Sequence, residues 1–242
     1  MTNKKDAFAS LHQPGNPLIL YNVWDAGSAK AVVAAGAKAI ATGSWSVAAA
    51  HGFADGEALP MDIALANAAE IVGAVDLPVS VDFERGYGAD AGEVAANCAR
   101  LASTGAIGLN LEDNRAPIAD AAARVRAACD AGLFVNARTD LFIQSDPATH
   151  DDAMAEAAIE RAKAYADAGA GCFFIPFLAH ERLIARLCDH SPLPVNVMML
   201  PAFSGVKRLA ELGVARVSYG PGPYRRMMAA LEADAREAFE SQ

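Results

Sequence analysis

Five segments of the chain repeat one pattern: an Ala-rich stretch with helical spacing, a glycine, then a short apolar run ending in polar residues. They read AAGAKAIATG around Gly36, STGAIGLNLED around Gly105, DAGLFVNARTD around Gly132, DAGAGCFFIPF around Gly169 and ELGVARVSYG around Gly213. Each glycine stands where a helix C-terminus needs a left-handed residue, a conformation glycine adopts without steric cost. The apolar run that follows suits a strand buried on both faces, as in a parallel sheet.

Three further strands fit the intervening chain, at Leu18–Tyr21, Val79–Asp82 and Val195–Val197, without that glycine signal. Helical patterns follow nearly all of them, at Ala91–Ala102, Asp120–Asp130, Asp151–Ala168, Glu181–Asp189, Gly205–Leu212 and Tyr224–Phe239. Eight strand–helix units at about 30 residues each match the length of a (β/α)8 barrel. A doubly wound open sheet is the alternative, and units this unequal exclude a solenoid. The expectation is an α/β chain forming one (β/α)8 barrel over residues 1–242, with a C-terminal helix at about 224–240.

In such a barrel the active site lies at the C-terminal ends of the strands. The polar residues expected there are Gly43, Ser44 and Trp45 after the second strand and Asp82 with Glu84 after the third. Asn110, Glu112 and Asp113 follow the fourth, Asn136 and Arg138 the fifth, and Asn196 ends the seventh. Strand side chains alternate with period two, so Asp82 and Glu84 share a face if the strand continues that far. As strand-end caps and surface ion pairs these residues need no ligand; their clustering on one predicted face favours a site. Several carboxylates at one mouth repel unless protons or a cation intervene. Oxygen ligands without neighbouring histidine or cysteine suit Mg²⁺, or Mn²⁺ in its place. Arg138 then offers a planar fork for a substrate carboxylate.

The remaining composition narrows the classes. With 53% hydrophobic residues and 20% charged, the chain has ample material for a core. A net charge of −9 argues against nucleic acid as a partner. No apolar run approaches a membrane span, the polar stretch Met1–Asp6 lacks a signal-peptide core, and the spacing of Cys98, Cys129, Cys172 and Cys188 is not metal-like. A reduced, cytoplasmic compartment is expected. Lysines fall only in the N-terminal stretch or predicted helices, which argues against a Schiff-base aldolase. No phosphate-binding glycine motif supports nucleotide chemistry. Gly220-Pro221-Gly222-Pro223 reads as a rigid turn into the last helix.

GSWSVAAAHGFAD, VDFERGYG, LNLEDN and NARTD resemble, in order and spacing, motifs of the isocitrate lyase/phosphoenolpyruvate mutase superfamily. The resemblance runs from about Tyr21 to Tyr224. It implies a (β/α)8 barrel that forms a homo-oligomer, a dimer or tetramer, with the last helix exchanged between subunits. It also implies Mg²⁺ and a small 2-oxo or 2-hydroxy carboxylate substrate. By position, Asp82 is the direct metal ligand, Glu84 and Glu112 hold metal-bound waters, and Asp55 stands near that network. Gly43, Ser44 and Trp45 hold the substrate's carboxylate and oxo oxygens, and Arg138 faces the same group. Asn136 and Asn196 complete the expected substrate contacts.

The lyases of this superfamily carry a Lys-(Lys/Arg)-Cys-Gly-His gate after the Glu-Asp, whereas here LEDNRAPIADAAARVRAA runs straight toward a helix. The expected reaction is Mg²⁺-dependent cleavage of a C–C bond beside a 2-oxo or 2-hydroxy carboxylate, through a metal-stabilised enolate. Arg138, His51 and Tyr21 are the candidate catalytic residues. Phosphonopyruvate C–P hydrolysis or mutation, and metal-dependent oxo-acid binding without turnover, are the alternatives.

Overall fold

The computed structural model describes residues 4–241. Eight parallel strands, β1 (Leu18–Leu20), β2 (Ile40–Ala41), β3 (Val79–Asp82), β4 (Gly108–Glu112), β5 (Phe134–Arg138), β6 (Cys172–Ile175), β7 (Val195–Met198) and β8 (Arg216–Ser218), pair in the order β1-β8-β7-β6-β5-β4-β3-β2. The sheet curls until its edges meet at a parallel bridge between Val23 and Thr42. There the Val23 N–H donates to Ala41 at 2.9 Å and the Gly43 N–H to Val23 at 3.3 Å. The expected (β/α)8 barrel is therefore the observed fold.

The helices are α1 (Lys4–Ser10), α2 (Ala26–Ala34), α3 (Ser44–Ala50), α4 (Met61–Ala74), α5 (Ala91–Ser103), α6 (Ile118–Asp130), α7 (Asp152–Asp167), α8 (Glu181–His190), α9 (Val206–Glu211) and α10 (Gly222–Glu240). The five repeat glycines all have positive φ, from 86° at Gly213 to 98° at Gly169. Helix α10 begins at Gly222 rather than Tyr224, because Pro223 fits a first helical turn, where no N–H is needed. No helix among the described residues is long and apolar enough to cross a membrane.

Helix α1, which the hydrophobic pattern did not predict, closes the N-terminal end of the barrel. Phe8 is fully buried and meets Phe134 edge-on, with ring centroids 5.1 Å apart. A side chain at Gly171 would strike the Phe134 ring at 2.3 Å, so the ring depends on that glycine. His12 stacks on Phe134, and burial beside Arg216 lowers its pKa to about 3. Above this apolar floor lies a polar layer. Asn136 Nδ2 donates to Asn110 at 2.8 Å and to Asn196 at 3.0 Å, and Arg216 Nη2 donates to Asn110 at 3.0 Å.

Helix α10 stands off this body. From Arg225 to Glu240 every residue is exposed except half-buried Ala235, and Met227, Met228, Leu231 and Phe239 show apolar surface. On the barrel wall, β1 leaves Ile19 and Tyr21 facing a groove of about 800 Å³ that Leu11 and Val32 also line.

Phe8→Ala empties a fully buried site and is expected to cost about 3–5 kcal/mol. Urea denaturation checks this as a lowered midpoint with an unchanged slope.

Candidate functional site

The mouth is assembled from loops that leave the strands at one end. Asp82 ends β3; its N–H donates to Thr42 Oγ1 at 2.9 Å, and its Oδ2 accepts the Ser44 N–H at 2.9 Å. The strand does not continue to Glu84, which has a left-handed backbone, φ 50°. The chain instead turns over buried Phe83, and the Glu84 carbonyl accepts the Glu112 N–H at 2.9 Å. Glu84 thus reaches Asp82 by a turn rather than by strand alternation.

Glu57 ties the loop after α3 to this turn. Its N–H donates to the Glu84 carboxylate, and its own Oε1 accepts the N–H groups of Arg85 at 3.1 Å and Tyr87 at 2.8 Å. Oε2 pairs with Arg85 Nη2 at 2.8 Å. Glu57 holds φ at 65°, a conformation costing about 1–3 kcal/mol for a residue with a Cβ. The reciprocal bonds offset that strain and seat the loop against Glu84. Asp55, on the same loop, lies near enough to Asp82 for the two carboxylates to repel.

Arg138, at the end of β5, is shared between two acids: Nη1 lies 2.6 Å from Glu112 and Nε 2.7 Å from Asp140. Behind it, Asp113 accepts the Asp140 N–H at 3.0 Å and binds Arg161 at 2.9 Å and the Tyr165 hydroxyl at 2.7 Å. Arg138 is therefore fixed on both sides. Burial, Asp82 and Asp55 push the Glu84 carboxyl up to about 7. Burial likewise raises Glu112 to about 8; Arg138 opposes this, but its charge also serves Asp140. Burial and Asp82 raise Asp55.

Asp82, Glu84, Asp55, Glu112, Arg138 and Ser44 are thus brought together. Trp45 sits at the start of α3, 5.9 Å from the Tyr224 ring and 4.5 Å from the Arg225 guanidinium carbon. Gly43 is buried, its N–H spent on barrel closure. Asn136 and Asn196 are not at the mouth: both are fully buried in the polar layer below. Tyr21 shares the parity of exposed Ile19 and faces the outer groove, where its hydroxyl accepts from Arg226 at 2.6 Å. His51 caps α3 and bonds its own helix, Nδ1 to the Val47 carbonyl at 3.0 Å. Residues missed in the sequence include Glu57, Asp140 and Tyr87, whose phenol is pushed up by burial and by the nearby Glu84 and Glu57 carboxylates. Tyr87 and Asp140 lie within the VDFERGYG and NARTD motifs.

Among the described residues no three His, Cys, Asp or Glu side chains form a ready-made metal cage. Crowded, partly protonated carboxylates suit an ion that keeps most of its waters and takes one or two direct carboxylates, as Mg²⁺ does. The residues present fit that ion.

A closed parallel barrel with acids and a braced arginine at its C-terminal mouth belongs to the barrel class whose active sites lie at that end. The family model for phosphoenolpyruvate phosphomutase matches residues 8–239, and the chain belongs to that family, within the phosphoenolpyruvate mutase/isocitrate lyase superfamily. A Burkholderia cenocepacia J2315 protein, provisionally designated a phosphonomutase, is 46% identical with a TM-score of 0.94, over 97% of this chain and 98% of that one. The 2-methylisocitrate lyase of Salmonella typhimurium is 29% identical over 92% of this chain and 84% of its own. Phosphonopyruvate hydrolase, solved with oxalate and Mg²⁺, has the same fold at 21% identity and TM-score 0.83, over 99% and 88% of the two chains.

Metal-free protein is expected to lose stability as pH rises from 6.5 to 8. The two glutamates, ordinarily near 4.5, titrate at about 7 and 8 in the folded state, so the folded protein holds more protons than the unfolded chain. Their contribution is full below pH 4.5 and is lost as pH passes 7 and then 8. His12, with its lowered pKa, acts oppositely, its contribution being lost as pH falls from 6.5 toward 3. Thermal melts in chelator measure the slope, and Glu84→Gln or Glu112→Gln should flatten it above pH 6.5.

Proposed function

We propose that the protein is a Mg²⁺-dependent lyase that cleaves a C–C bond beside a 2-oxo or 2-hydroxy carboxylate. The observation that carries this reading is the convergence of Asp82, Glu84 and Glu112, with raised carboxyl pKa values at both glutamates, beside Arg138. Asp82, oriented by the Ser44 and Thr42 hydrogen bonds, is the direct ligand, and Glu84, Glu112 and Asp55 surround it. The metal supplies positive charge to the substrate's carboxylate and adjacent oxygen. Arg138 binds that carboxylate, held in place by Asp140 so that its guanidinium plane is set before the substrate arrives. Tyr87 keeps its proton, because burial and neighbouring acids raise its pKa. The loop carrying Glu57 is bonded to Glu84, and the loop from Asp113 to Pro117 is too short to serve as a gate.

The 46%-identical phosphonomutase-designated relative favours a second reading, C–P hydrolysis or mutation of a phosphonate analogue at the same metal site.

We also propose a homo-oligomer in which α10 of one subunit lies in the β1–α2 groove of another, since both carry exposed apolar surface. Four free cysteines suit a cytoplasmic setting.

Calorimetry tests the site: oxalate should bind with Mg²⁺ and not with EDTA, and Asp82→Ala should abolish binding. Arg138→Met removes a charge-assisted bond of about 1.5–3 kcal/mol, weakening oxalate roughly 10- to 150-fold. On substrate screening, release of phosphate from phosphonopyruvate would favour the second reading, and tight binding without turnover would remove the enzyme assignment. Sedimentation analysis should find an oligomer that Leu231→Glu with Phe239→Glu converts to monomer.

A further inference from the structure

Beneath the mouth, the barrel interior holds an arginine whose charge no acid answers. Arg216, on β8, is fully buried and donates through Nη2 to Asn110 Oδ1 at 3.0 Å. Nε and Nη1, which carry three of a guanidinium's five N–H donors, have no hydrogen-bond partner among the described residues. Among those residues no carboxylate lies within ion-pair distance of Arg216 either. Burying a charge without compensation is among the costliest arrangements a protein can adopt.

Unpartnered acceptors lie in the same interior. Asn110 Oδ1 accepts from both Arg216 and Asn136, which sets the Asn136 amide beside the guanidinium. Asn136 spends its Nδ2 donors on Asn110 and Asn196, leaving its Oδ1 buried without a partner. On the floor, His12 and Arg216 both meet the Phe8 ring, at 4.8 and 5.9 Å. His12 Nδ1 donates to the Phe8 carbonyl at 2.9 Å, so its Nε2 is a bare acceptor, and it too is unpartnered. Arg216 Nε and Nη1, Asn136 Oδ1, His12 Nε2 and Ser80 Oγ make up five of the eight such atoms among the described residues. They are therefore concentrated inside the barrel rather than scattered. Ser80, Asn110, Asn136, Cys172 and Asn196 are also smaller than the Val, Ile and Leu that usually fill such an interior, which leaves room.

We infer that the interior between the asparagine layer and the α1 floor is a water-binding site, with Arg216 as principal donor and Asn136 Oδ1 as principal acceptor. The ligand must both accept and donate. A halide would answer the charge of Arg216 but would face the lone pairs of Asn136 and His12 without bonding either. His12 does not become a second donor for it near neutrality, because burial and Arg216 hold its pKa at about 3. A metal cation is repelled by the guanidinium. Water accepts from Arg216 and donates to Asn136 or His12, and a buried water typically makes about three such bonds. Asn110, which carries the bond from Arg216, pairs in register with Asp82, so this hydration lies beneath the proposed metal ligand.

The test is a high-resolution crystal structure of the full chain, with a second crystal grown in sodium bromide and measured at the bromine absorption edge. Wild type should show at least one ordered water within about 3.2 Å of Arg216 Nε or Nη1 that also reaches Asn136 Oδ1 or His12 Nε2. The bromide crystal should show no anomalous peak at that position. Arg216→Met should lose the water. An interior without such density, a water that reaches neither acceptor, or a bromide peak beside Arg216 overturns the inference. A water that keeps its place in Arg216→Met overturns Arg216 as the principal donor. The wild-type maps decide the site even if the variant does not fold.

Discussion

Like charges brought to one end of a barrel are the constraint around which this structure is organised. Asp82, Glu84, Asp55 and Glu112 would repel one another, and burial makes their ionised forms costlier still. The protein answers with directed donors: backbone N–H groups of Ser44 and Glu57, and the divided charge of Arg138. What these donors leave uncompensated appears as carboxyl groups that hold protons near neutrality, the condition a divalent cation would relieve.

The supports extend outward in order. Arg138 is set by Asp140, Asp140 by Asp113, and Asp113 by Arg161 and Tyr165 on α7. Asn22 performs a similar task at the seam of the barrel: it donates to Thr42 and accepts the N–H groups of Tyr219 and Gly220, so β1, β2 and the loop after β8 share one side chain. Below, the asparagine layer and Arg216 keep the interior polar, and α1 seals it with Phe8. Arg216 is fully buried over the Phe8 ring, with burial lowering its pKa to about 10.

The barrel was legible because its glycines mark helix ends and its strands are apolar on both faces. Period-two alternation identified which residues point inward but carried no measure of depth. Arg138 and Asn136 obey the same rule, yet one stands at the mouth and the other is sealed a layer beneath. The same alternation, applied to β1, places Tyr21 outside with Ile19. His51 was attractive through closeness in sequence to Asp55, but its ring turns back to its own helix. Glu57 and Arg85 were missed because their importance arises from loops meeting across 28 residues of chain, which no local pattern encodes.

The central claim is that the acids around Asp82 surround a cation. Crystals grown with Mn²⁺ and oxalate, measured at the manganese absorption edge, test it most directly. The account predicts a single strong anomalous peak in contact with the Asp82 carboxylate, with Glu84 and Glu112 beside it. A map with no peak at Asp82, or with manganese elsewhere on the barrel, would contradict it.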